Sequence, residues 1–156
     1  MNISELLIQE RVTCCPPIGS KKRLLENISE LLARKQPQLS KNEIFNSLIS
    51  REKLGTTGLG RGVAIPHGRL GGLRRPVCAF IRIEQPIEFD ALDGQPVDLI
   101  FALIVPEDST DEHLQILSTI AALFSNPAFC SRLRECGDDA CLFRLLTQPE
   151  TQQKSA

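Results

Sequence analysis

"VDLIFALIV", Val97 to Val105, carries one charged side chain, Asp98, and is otherwise apolar. A strand with one wet face alternates apolar and polar residues, so a run this apolar predicts a strand in the middle of a sheet, covered on both faces. Helices must supply that cover, and the flanks contain them. After "PEDST", Ser109 and Glu112 read as a capping box for "DEHLQILSTIAALF", with Leu114, Leu117, Ile120, Ala121 and Phe124 expected to face inward. Asn126-Pro127 opens a second helix that Gly137 ends, and Asp138 opens a third carrying Leu142, Leu145 and Leu146.

Moving upstream, "IEFDALDG" predicts a short strand and a turn at Asp93-Gly94. "VCAFIRIE", residues 77–84, sets Val77, Ala79, Ile81 and Ile83 against Cys78, Phe80 and Arg82, the period-two pattern of a strand. "VAIPH", ended by Pro66, is a brief strand that leaves His67 at its end. Two amphipathic helices precede it. One follows Ser20 with Leu24, Leu25, Ile28, Leu31 and Leu32 at helical spacing. The other opens on a capping box, Ser40 and Glu43, and carries Ile44, Phe45, Leu48 and Ile49 on one stripe. Interleaved helices and strands predict an α/β three-layer sandwich, a central mixed β-sheet of about five strands flanked by helices on both faces.

"VTCCPPIGS", residues 12–20, interrupts any regular pattern with two prolines and a glycine. The expected division is an N-terminal extension over 1–20, one domain over 21–147 and a mobile tail over 148–156. At 156 residues the chain is long enough for one self-sufficient core.

Composition excludes several classes of function. Lys+Arg of 18 against Asp+Glu of 19 leaves a net charge of -1, and 4% aromatic residues with neither Trp nor Tyr provide no stacking platform, so no nucleic acid partner is expected. No apolar run spans a bilayer and no secretory signal opens the chain, so no membrane insertion and a cytoplasmic location are expected. There the six cysteines should be free thiols, mostly buried as small apolar side chains, although Cys14-Cys15 before two prolines is also a candidate redox pair.

"TTGLGRGVAIPHGRL", Thr56 to Leu70, is the candidate site. Its glycines follow a helix and precede a strand, the reverse of a dinucleotide fingerprint, and no phosphate-binding G-x-x-x-x-G-K-[ST] loop occurs. With only two histidines and no C-x-x-C pair, no metal and no cofactor are expected. A neutral imidazole can itself attack phosphorus, given donors around the transferred group. Arg51, Thr56, Thr57, Arg61 and glycine amides stand near His67 in sequence, and His113 falls in the first turn of a helix, where the dipole favours an anion. Residue types alone leave a second reading open, in which His67 is a satisfied polar residue at a strand end and His113 is solvated.

"REKLGTTGLGRGVAIPHGRL", "QPIEFDALDGQPVDLIFALIVPED" and "HLQILSTIAALF" together resemble the enzyme IIA domain of the fructose/mannitol/nitrogen class of the bacterial phosphoenolpyruvate-dependent phosphotransferase system, in its nitrogen-regulatory branch. The resemblance runs from about Lys21 to Thr147. It implies a phosphotransferase component whose phosphorylated histidine is His67, with His113 as a second active-site histidine and Arg51 beside the phosphohistidine. Thr56 and Gly68 are implied as lining of the phosphate pocket. Leu59, Val63 and Leu70 would form an apolar docking rim.

The partners implied are an HPr-like phosphocarrier as donor and regulatory target proteins such as a potassium transporter or a sensor kinase. A sugar-specific fructose or mannitol IIA passing its phosphoryl group to an enzyme IIB, and a pure regulatory binding module, are the alternatives. A chain of 156 residues is expected to have no room for a fused IIB or membrane IIC segment, and a freestanding unit would suit regulation.

Overall fold

The computed structural model describes residues 2–148, and within that range the side chains of all but Thr110 and Glu112. The proposed capping partner Glu112 and the tail from 149 onward lie outside the described residues.

The apolar run forms β6 (Val97–Pro106), paired antiparallel along its length with β5 (Val77–Ile87). On its other side β6 takes two short strands end to end in parallel, β3 (Val63–Ala64) and β4 (His67–Leu70). β2 (Gly58–Gly60) folds back antiparallel on β3, and β1 (Val12–Cys14) runs parallel to the outer side of β5. The sheet therefore has six strands and is mixed, as the sequence predicts in kind and nearly in number. Of the strand expected at "IEF", Ile87 is the last residue of β5 while Glu88 and Phe89 lie beyond it, and the glycine segment contributes β2.

Alternate residues of β5 and β6 enter two separate cores. Cys78, Phe80, Leu99, Phe101, Leu103 and Val105 face α1 (Ile3–Leu6), α4 (Thr110–Phe124), α5 (Pro127–Glu135) and α6 (Asp139–Thr147). Ala79, Ile81, Ile83, Ile100, Ala102 and Ile104 face α2 (Lys21–Ala33) and α3 (Lys41–Leu54). This two-sided burial is the physical reason for an unbroken apolar run: each fully buried Leu, Ile or Phe contributes about 1.5–3 kcal/mol. Phe80, Phe101 and Phe124 meet with ring centroids 5.9–6.3 Å apart, which locks α4 onto the sheet.

Helix starts follow the chemistry of their caps. Ser20 accepts from the Arg23 N–H, Ser40 from Asn42 and Glu43, Asn126 from Ala128 and Phe129, and Asp138 from Cys141. On α4 the inward face is rotated from the expectation: Ile116 is buried, whereas Leu114 is 62% exposed. Burying Ile116, Ile120 and Phe124 fixes the helix phase, and Leu114 then points away from the sheet.

The break at Pro16-Pro17 does not detach the residues before it. Ile3, Leu6, Leu7 and Val12 are buried in the core beneath α6, and Val12 pairs with Phe80. Arg11 is also buried, its guanidinium donating twice to the Arg34 carbonyl. Nor are all the thiols free: Cys14 is bonded to Cys15 and Cys136 to Cys141, leaving Cys78 and Cys130 as buried thiols.

Candidate active site

The site begins where β3 gives way to β4. Pro66 cannot donate to the ladder, its carbonyl accepts from Leu103, and His67 then resumes pairing opposite Leu103. His67 thus starts a strand, where the sequence placed it at a strand end. Gly68 follows because α3 crosses there: a Cβ on residue 68 would run into Ser47 Oγ and sit 3.2 Å from the Ser47 backbone carbon. Ser47 itself donates to the Arg69 carbonyl at 2.8 Å, tying α3 to β4.

His67 is half-buried with Nδ1 2.8 Å from the Ile65 carbonyl oxygen. A carbonyl only accepts, so Nδ1 carries the proton and Nε2 carries the lone pair. Burial pushes its pKa below the ordinary imidazole value, opposed by the Ile65 carbonyl, with Arg51 adding to the depression. His113, the fourth residue of α4, is 7% exposed and stands edge-on to His67, ring centroids 5.3 Å apart. Burial lowers its pKa as well, followed by the charge of a protonated His67 and by Arg69 and Arg51. Its buried Nδ1 has no hydrogen-bond partner among the described residues. Two imidazoles whose pKa values are both lowered line one hollow, His67 with Nδ1 committed to a carbonyl and His113 with a buried Nδ1 that has no partner among the described residues.

That hollow, about 500 Å³, is lined by His67, His113, Gly68 and Arg69 together with Asn46, Ser47, Ser50, Arg51 and Leu54 of α3. Arg51 lines it while donating to the Gly55 carbonyl at 2.7 Å, closing the last turn of α3. Of the five residues singled out from sequence, His67, His113, Arg51 and Gly68 meet here. Thr56 is turned elsewhere: its hydroxyl donates to the Phe89 carbonyl and accepts from the Gly58 N–H. Thr57 is buried and donates to Glu52, and Arg61 donates its backbone N–H to Asp93.

The expected docking rim also differs. Leu59 and Val63 line a separate hollow with Phe124, and Leu70 packs against the core under α2 and α3. The exposed apolar side chains at the histidines are Leu54, 84% exposed, at the rim and Leu114, next to His113. Asn46, Ser47 and Ser50 went unremarked in the sequence, although Ser47, Ser50, Arg51 and Leu54 repeat at helical spacing on the flank of α3 beside the buried Ile44–Leu48 stripe. Among the described residues no group of three or more His, Cys, Asp or Glu side chains is placed to hold a metal ion. No single helix among them is long and apolar enough to cross a membrane.

Residues 5–148 match the family described as "Phosphoenolpyruvate-dependent sugar phosphotransferase system, EIIA 2". The chain belongs to this family. Membership makes it a phosphotransfer component. This EIIA chain is 42% identical over 153 residues to the nitrogen regulatory protein of Pseudomonas aeruginosa, covering 98% of this chain and 99% of that one. It is 44% identical over 151 residues to the nitrogen regulatory protein of Escherichia coli, covering 96% and 92%. The crystal structure of the nitrogen regulatory protein IIA-Ntr from Neisseria meningitidis superimposes with a TM-score of 0.87 at 46% identity, covering 93% of this chain and 99% of that one.

Proposed function

We propose that this EIIA chain is a phosphohistidine carrier of a nitrogen-type phosphotransferase system, taking a phosphoryl group on His67 and regulating cytoplasmic partners by its phosphorylation state. One observation carries the reading: Nδ1 of His67 is committed to the Ile65 carbonyl, so the neutral ring offers Nε2, and only Nε2, as a nucleophile in a hollow shared with His113 and Arg51.

The donor is an HPr-like protein phosphorylated on histidine. Nε2 attacks phosphorus in line, the new N–P bond forms as the donor N–P bond breaks, and the donor nitrogen keeps the electron pair. The protein's task is positioning and charge compensation. His113 donates a hydrogen bond to a phosphoryl oxygen, Arg51 offsets its charge, and Gly68 lets α3 close on the site. Thr56 acts at one remove, by holding the chain that enters β2. Leu54 and Leu114 give the donor an apolar place to dock. The regulated targets are proteins such as a potassium transporter or a sensor kinase, reached by the family resemblance.

The test is intact-mass spectrometry at alkaline pH after incubation with phosphoenolpyruvate, enzyme I and the HPr-like carrier. One added phosphoryl group, absent from His67→Ala, is expected. Folded protein that takes up none, or His67→Ala that takes up as much, would overturn the assignment.

A further inference from the structure

Some distance from the histidines, β1 and the α5–α6 junction bring four of the six cysteines to one edge of the sheet. Counting strand spacings from β4 to β1 and residues along β5 from Cys78 to Arg82 puts this cluster about 20 Å from His67. At its centre is Arg82, half-buried on β5 opposite Cys14. Its Nη1 donates to the Cys136 carbonyl at 2.7 Å and lies 3.3 Å from Cys15 Sγ and 3.8 Å from Cys14 Sγ. Among the described residues Arg82 forms no salt bridge, and its buried Nε has no partner. Its Nη1 thus meets one carbonyl and two sulfurs, and among the described residues no carboxylate pairs with it.

The rest of the cluster is built around the same contact. Cys15 adopts a left-handed backbone with φ of 64°, held by its N–H on the Arg82 carbonyl at 2.7 Å. The Cys14 N–H donates to Asp139 at the start of α6 at 2.7 Å. Asp139 and Arg82 are the charged groups that face the pair from α6 and β5; neighbouring Asp138 is occupied in capping Cys141. Cys14 and Cys15 are half-exposed and within reach of a reagent, whereas Cys136 of the second pair is buried.

We infer that Cys14 and Cys15, seated on Arg82, form a thiol–disulfide exchange site that accepts electrons from a soluble dithiol and returns them to a soluble disulfide, separately from the chemistry at His67. In the reducing direction a reductant thiolate attacks Cys14 Sγ. The Cys14–Cys15 bond breaks and its electron pair stays on Cys15 Sγ, the sulfur nearer the guanidinium, which stabilises the leaving thiolate. The reductant's second thiol then displaces Cys14 from the mixed disulfide. The reductant leaves as its own disulfide, and two electrons and two protons remain on the protein as two thiols. Oxidation by a small disulfide reverses each step.

The full-length protein is equilibrated in mixtures of reduced and oxidised dithiothreitol, quenched with N-ethylmaleimide and cleaved after Arg and Lys. Peptide 12–21 then reports the pair. It is expected to carry two maleimide groups where the pair was reduced and none where it was oxidised, reversibly, and to change over at a less reducing mixture than the peptide holding Cys136 and Cys141. Iodoacetamide at neutral pH should modify the reduced pair about tenfold more slowly in Arg82→Met, with Arg82→Lys restoring most of the rate. Residues 14 and 15 remaining thiols in every mixture, or identical rates in the Arg82 variants, would overturn the inference. Should Arg82→Met fail to fold, the wild-type alkylation profile decides: a rise centred below about pH 8 supports the site, and one at the ordinary thiol value of about 8.5 or above overturns it. Phosphoryl uptake by Cys14→Ser is expected to be unchanged whichever way the thiol result falls.

Discussion

His67 and Ile65 are joined by a hydrogen bond that skips one residue: the imidazole Nδ1 donates to the carbonyl two positions back, 2.8 Å away, across a proline that cannot donate. The bond fixes the tautomer before any donor arrives. Phosphoryl uptake should therefore stay flat from pH 8 down to the ordinary histidine range and fall only below it, because burial lowers the pKa of His67. Initial rates of uptake against pH test this; a midpoint above the ordinary value of about 6.5 would contradict it.

The same shifts bear on stability. Both histidines have folded-state pKa values below their unfolded values, so the unfolded chain binds more protons as pH falls through the ordinary histidine range toward the lowered values. Their contribution is complete above that range and is lost on acidification through it. The urea midpoint should drop over this window, and a variant carrying both His67→Ala and His113→Ala should show a shallower slope.

Gly68→Ala should destabilise the fold by about 1–3 kcal/mol, since the added methyl group enters space held by Ser47. Combining it with Ser47→Ala removes the hydroxyl but leaves the α3 backbone close by, so only part of the loss should return. A double-mutant cycle in urea measures the coupling.

His113→Ala and Arg51→Ala should each slow phosphoryl uptake by roughly 10–1000-fold while leaving the label on residue 67, as expected when one group that stabilises transferring charge is removed. Arg51→Ala also frees the Gly55 carbonyl, so its folded state should be checked by circular dichroism. Rapid-quench labelling with the HPr-like donor reads the rates.

Arg134 clasps the glycine loop, donating through Nε and Nη2 to Asp98 and through Nη2 to the Arg61 carbonyl. Arg134→Ala should cost about 1–2 kcal/mol, a moderate figure because the pair keeps contact with solvent. Thermal unfolding measures it, and a loss below a few tenths of a kcal/mol would show the clasp to be dispensable.

The layers of this fold were legible because burial on both faces writes itself into β6 as an unbroken apolar run and into the helices as stripes. β1 was not. Three residues before two prolines show no periodicity, and their parallel pairing with β5 is a non-local fact. Leu114 and Ile116 both fit an apolar stripe on α4, and only packing on the sheet chooses between them. At the site, His67 and His113 stood out by type and local position. Ser47 and Ser50 did not, because what makes them matter is the crossing of α3 over β4, visible from the sequence only as a glycine after a histidine. Thr56 was adjacent in sequence but follows a loop that turns toward Phe89.

His67 is a rung of the ladder, paired through β4 to Leu103 at the centre of the sheet. A phosphoryl group there would bring about -1.5 to -2 charges to a backbone already held by its neighbours. The two forms of the protein would then differ in field far more than in shape. At physiological salt that field fades over about 8 Å, so a partner that distinguishes them must place a charged group almost against the histidine. The message would be short-range and legible only by touch.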